Sequence, residues 1–185
     1  AILFSSIPFV VTQLFSPNEV TTFNIASSIF NVPIMLMGII TAPGHSLITQ
    51  SYAKNDLAWM RSLLKKQILI SGIFCLGTVI MIIASPWIYK IWLGNKLLIP
   101  SNLSFFVGLY AMIQVLVAPF STFINAVGKI KILVILGPIS IMLFVGGSWL
   151  LSLLLNDVIA VSIALSIISA IGLFVLPLEL RKILW

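Results

Sequence analysis

ILVILGPISIMLFVGGSWLLSLLLN, residues 132–156, runs for 25 residues without a charged side chain. About 20 apolar residues, wound into a helix, cross the roughly 30 Å hydrocarbon core of a bilayer. Four comparable stretches share the same chain of 185 residues. A soluble core of this size has no room for five such runs. Lipid solvates each of them, so the reading is an all-α, polytopic membrane protein.

Working outward from that stretch, the composition agrees. The chain is 61% hydrophobic and 8% charged, and its mean hydropathy is +1.22. Soluble domains carry about a quarter charged residues. Twelve Phe and five Trp suit a lipid-facing surface with aromatic belts near the headgroups. The ten Lys and Arg form no patch on a soluble face. They lie between apolar runs, which argues against nucleic acid and for loops at a membrane surface. The single cysteine, Cys75, lies inside an apolar run. It has no partner for an intrachain disulfide, and is expected to be a buried, inert thiol.

Charges and turn formers divide the chain into six apolar segments, at about 1–15, 20–51, 67–89, 103–124, 132–155 and 158–178. The first is too short to cross alone and opens inside an apolar run, so upstream sequence is expected. Pro33 and Pro43 predict a kink or an early stop within 20–51. In residues 57–66, Leu57, Met60, Leu63 and Leu64 share one face, with Arg61, Lys65 and Lys66 elsewhere, predicting a separate amphipathic helix in the headgroup plane. Pro119 and Pro138 are further points for a kink or a hinge.

The basic residues sort by alternate loops. Lys54, Arg61, Lys65, Lys66, Lys129, Lys131, Arg181 and Lys182 fall on one side, against Lys90 and Lys96 on the other. Basic loops stay in the cytoplasm, which predicts a multi-pass protein with a cytoplasmic C-terminus.

Ionisable residues inside spans mark ion or proton pathways. Here every Asp, Glu, Lys and Arg falls at or near a span end. The polar content of the spans is neutral. Asn24, Ser28, Asn31 and Gly38 share one helical face, with Ser27 beside them. Such a stripe facing hydrocarbon is costly, so it must face a water-filled cavity or another helix. Asn24, Ser27, Ser28, Asn31 and the isolated amide Gln114 are therefore the candidate cavity residues. Helix–helix packing through small and polar residues accounts for the same pattern. His45 follows Pro43-Gly44 and reads as an interfacial histidine more readily than as a switch. One His and four dispersed acids make no catalytic constellation and no metal site. Neither a phosphate loop nor a dinucleotide fingerprint is present. The expectation is a protein without cofactor that is not an enzyme.

Four stretches in order carry a family resemblance. Leu14-Phe15-Ser16-Pro17-Asn18-Glu19-Val20, followed by Phe23-Asn24-Ile25-Ala26, resembles a turn and helix start of polysaccharide flippases. Tyr52-Ala53-Lys54-Asn55-Asp56 with Trp59 is similar to their cytoplasmic connection. Ile91-Trp92-Leu93-Gly94 with Ile99-Pro100 resembles their outer loop, and Phe123-Ile124-Asn125-Ala126-Val127-Gly128-Lys129-Ile130-Lys131 their basic turn. The family is that of the Wzx-type O-antigen and exopolysaccharide flippases, in the MATE-like multidrug/oligosaccharidyl-lipid/polysaccharide exporter superfamily.

The resemblance implies the C-terminal six-helix lobe of a two-lobe transporter, partnered by an N-terminal lobe of the same chain. It implies alternating access that carries an undecaprenyl-diphosphate-linked oligosaccharide between leaflets for polysaccharide or O-antigen biosynthesis. Basic cavity residues that hold the diphosphate in that family have no counterpart in these spans. The alternatives are a multidrug or cation-coupled exporter of the same superfamily, a membrane-embedded glycan polymerase or acyltransferase, and a purely structural membrane subunit.

Overall fold

In the computed structural model, residues 11–94, 97–129, 131–155 and 157–184 are described. A helical turn at residues 11–14 leads into six helices. They are α1 (Pro17–Thr41), α2 (Gly44–Ala53), α3 (Leu57–Leu93), α4 (Ser101–Val127), α5 (Lys131–Leu155) and α6 (Ile159–Leu184). All but α2 are long and apolar enough to cross a membrane. The chain is an all-helical, multi-pass membrane protein with five candidate spans among the described residues. Most of the expected first span, at 1–15, lies outside the described residues.

Local chemistry sets the helix ends. Pro17 occupies the first turn of α1, where its missing N–H costs nothing. The Glu19 carboxylate accepts from the Ser16 backbone N–H at 2.9 Å and from the Ser16 hydroxyl at 2.7 Å. The helix thus starts three residues before the expected Val20. Pro43 breaks the second segment as expected, separating α1 from α2. The other intrahelical prolines, Pro33, Pro86, Pro119, Pro138 and Pro177, sit inside continuous helices. Asp56 caps α3 by accepting from the Trp59 backbone N–H at 3.0 Å. Gly128 ends α4 at φ 78°, in the left-handed region that glycine enters without steric cost.

One expectation is corrected. Residues 57–66 are not a separate interfacial helix; they are the first turns of α3, which runs 37 residues without a break. At 1.5 Å per residue its length is about 55 Å, well beyond the hydrocarbon core. The buried stripe explains the continuity. Met60, Leu64, Gln67, Ser71, Cys75, Thr78, Ser85 and Tyr89 follow one another at helical spacing. The face that reads as lipid-seeking in residues 57–66 packs instead with Phe123, Leu180 and Leu184.

The burial pattern is inverted relative to a soluble protein. On α3 the buried face carries Gln67, Ser71, Thr78 and Ser85, while Leu69, Ile73, Leu76, Ile80, Ile83 and Trp87 are exposed. Hydrocarbon outside and polar groups inside is the arrangement a bilayer imposes. Most inward hydroxyls donate to a carbonyl three or four residues back. Thr41 bonds Met37, Ser71 bonds Ile68, Thr78 bonds Phe74 and Ser85 bonds Ile82, all at 2.8–3.0 Å.

The central helix is α4, which packs against α1, α2, α3 and α6, while α5 leans on α6. Two core clusters mark the two ends of the bundle. One joins Ile48, Met60, Leu64, Phe123, Ile124, Leu180 and Leu184. At this end the Thr49 hydroxyl donates to the Ala126 carbonyl at 2.9 Å. The Arg61 guanidinium donates to the Leu184 carbonyl through Nε at 2.8 Å and through Nη2. The other cluster joins Val11, Phe23, Leu103, Val158 and Val161. The eight basic residues expected on one side all flank the first cluster in sequence. The structure thus gathers the Lys54–Lys66 and Lys129–Lys131 segments and the end of α6 at the same end of the bundle.

Candidate functional site

Helix α1 supplies one wall of the site. Phe23, Ala26, Phe30, Pro33 and Met37 are spaced by three or four residues and bury one side of it. Asn24, Ser28 and Asn31 follow the same spacing about a third of a turn away and are exposed, with Ser27 half-buried between the two faces. The Ser28 hydroxyl donates to the Asn24 backbone carbonyl at 2.8 Å, a bond that satisfies the donor and leaves its oxygen free to accept.

All four residues of the stripe line a single cavity of about 280 Å³. Its floor and far wall come from α4 and α6: Val107, Tyr110 and Ala111 from α4, and Ser162 and Leu165 from α6. Phe23, Phe30 and Ile34 of α1 complete the apolar part. The lining holds no Asp, Glu, Lys, Arg or His.

Tyr110 and Ser162 are missing from the sequence-based list. Both are buried, at 6% and 0% exposure. Neither hydroxyl has a hydrogen-bond partner. The Gln114 amide, one turn on, approaches the tyrosine hydroxyl, yet no bond of good geometry joins them. Ser166, a turn from Ser162, behaves otherwise and donates to the Ser162 backbone carbonyl at 2.8 Å. The signal for Tyr110 and Ser162 in the sequence is faint. A single tyrosine and one serine among many in apolar spans carry no stripe of their own.

Gln114 belongs elsewhere. Its Nε2 donates to the Ser169 hydroxyl at 3.1 Å, tying α4 to α6. It borders a separate, mostly apolar groove of about 590 Å³ between α4, α5 and α6. The structure brings Asn24, Ser27, Ser28 and Asn31 together and leaves Gln114 out, as a helix–helix contact. His45 is exposed in the first turn of α2. Cys75 is buried, as expected, with its thiol 3.7 Å from the Met112 carbonyl. Among the described residues, no three His, Cys, Asp or Glu side chains gather as metal ligands would.

Fold and site together define a polytopic helical membrane protein with an uncharged, partly polar cavity inside one bundle. No protein-family model, curated protein or solved structure matches the chain.

Proposed function

We propose that this chain is one lobe of a transporter that flips a lipid-linked oligosaccharide across the cytoplasmic membrane by alternating access. The observation that carries the reading is the convergence of Asn24, Ser27, Ser28 and Asn31 on one cavity whose lining has no charge. Amides and hydroxyls facing hydrocarbon are costly. A cavity that holds water and sugar hydroxyls repays that cost, because amides and hydroxyls both donate and accept. Two further features support it. Four ordered stretches resemble polysaccharide flippases, and the basic residues collect at one end of the bundle, the end the reading assigns to the cytoplasm.

The diphosphate needs cations, and this cavity supplies none. In this reading the lobe holds carbohydrate while the diphosphate is held outside this cavity. The polyisoprenoid tail stays in the bilayer, against the exposed leucine and isoleucine faces of α3 and α5.

The test is glycan export from cells carrying Asn24→Leu or Asn31→Leu. Each is expected to reduce export while membrane insertion and protein level are retained. Wild-type export in both single variants removes the cavity role of the stripe.

A further inference from the structure

A second opening in the bundle lies well away from the cavity. Helices α3 and α6 both pack on α4, yet they barely touch each other. Between them, at the basic end, lies an open groove of about 350 Å³. Leu64 and Ile68 of α3 form one wall, Pro177, Leu180 and Arg181 of α6 the other, and Phe120 of α4 the floor. The groove shares no lining residue with the cavity. Phe120 is nine residues past Ala111, about 14 Å further along α4 at 1.5 Å per residue.

The lining is apolar except for Arg181, which stands in the last turn of α6. In a bilayer, an apolar groove between helices accepts an acyl chain. A cation at the polar end of that groove, at the depth of the headgroups, meets the phosphate from which the chain hangs.

The surrounding charges sharpen this reading. Lys182 is held by Glu179 at 3.0 Å, and Arg61 is bonded to the Leu184 carbonyl. Arg181 and Lys65 are exposed, and among the described residues neither forms an ion pair. Lys65 is next to Leu64 and three residues from Ile68, a spacing that puts it beside Ile68 on the surface of α3. The other acids are engaged at helix starts: Glu19 with Ser16, Asp56 with Trp59 and Asp157 with Ile159. A phosphodiester carries one negative charge, which a guanidinium fork and an ammonium match without a carboxylate to compete.

We propose that this groove binds one anionic glycerophospholipid. Its phosphate rests on Arg181 and Lys65, and the upper part of an acyl chain lies over Phe120 between Ile68 and Pro177. The site does not depend on the transport reading above, because it lies on a different face of α4 and takes a lipid of the surrounding membrane.

The test is native mass spectrometry of the purified full chain, released from detergent micelles. Dioleoylphosphatidylglycerol or dioleoylphosphatidylcholine is added at equal concentration. A single phosphatidylglycerol is expected to stay bound where phosphatidylcholine is lost. Arg181→Gln and Lys65→Gln should each lower its retention about fivefold, the worth of one basic residue near an anionic headgroup. Ile68→Trp fills the groove from its exposed wall without changing charge, and should reduce retention to that of phosphatidylcholine. Lys182→Gln removes the same charge outside the groove and should leave retention as it is.

Any of three results overturns the proposal: equal retention of the two lipids, equal losses in Lys182→Gln and Arg181→Gln, or full retention in Ile68→Trp. Displacement of phosphatidylglycerol by equimolar geranylgeranyl diphosphate also overturns it, and assigns the groove to a prenyl diphosphate instead.

Discussion

Replacing Gly108 with alanine tests the packing that shapes the cavity. Gly108 lies on α4 between Val107 and Tyr110, two residues of the cavity wall. A Cβ added there would stand 2.4 Å from Ile82 Cγ1, 2.6 Å from Ile82 Cδ1 and 3.1 Å from Phe30 Cε1. The first two are well inside contact distance, and Cγ1 is near the root of a side chain whose rotamers in a helix are restricted. Ile82 must move, or α4 must shift away from α3 and α1. Overpacking of this kind costs about 1–3 kcal/mol. Against it, alanine gains up to about 1 kcal/mol over glycine in a helix interior. The net expectation is a loss of about 0–3 kcal/mol.

Gly77, inside α3, provides the reference, because a Cβ there meets nothing within 4 Å. Gly77→Ala receives the propensity gain alone. Subtracting one variant from the other cancels that gain and leaves the overpacking, about 1–3 kcal/mol. The assay is reversible unfolding in mixed micelles, followed by tryptophan fluorescence. Equal effects of the two substitutions would show that α4 does not approach α3 and α1 as closely as described. The cavity geometry built on that approach would then fall with it.

Other expectations follow from the same structure. The buried Tyr89 hydroxyl and Ser104 Oγ lie 3.0 Å apart. Tyr89→Phe strands the serine and should cost about 1–3 kcal/mol, with Ser104→Ala on top recovering part of it in a double-variant unfolding cycle. Recovery of nothing would mean that the pair is not coupled. Cysteines placed at Lys65 and Lys129 in a Cys75→Ser background should react with a membrane-impermeant maleimide from the same face, the cytoplasmic one. Labelling from opposite faces would contradict the bundle topology.

Much of the architecture was legible along the chain because lipid imposes a one-dimensional rule. Every backbone group must bond within its own helix, so each span appears as an uninterrupted apolar run. Pro43 announced the α1–α2 break for an equally local reason, as a residue that cannot continue a ladder of hydrogen bonds. The 57–66 segment misled because helical periodicity identifies an apolar face but not what covers it. Met60 and Leu64 would look the same against headgroups as they do against Leu180 and Leu184. The stripe on α1 was legible because Asn24, Ser28 and Asn31 recur at the period of a single helix.

What the chain determined by itself, then, is what depends on neighbours in sequence: the apolar runs, the break at Pro43, the sorting of basic residues and the polar face of α1. What only the tertiary structure decided is which helices close around that face. Tyr110 and Ser162 lie 86 and 138 residues beyond Asn24, and only the packing of α4 and α6 against α1 brings them to one cavity. Gln114 lies a single turn past Tyr110, and the same packing turns its amide to Ser169 instead. A hydroxyl or an amide in an apolar run acquires its role from the element that arrives opposite it, and no periodicity within its own helix records that arrival.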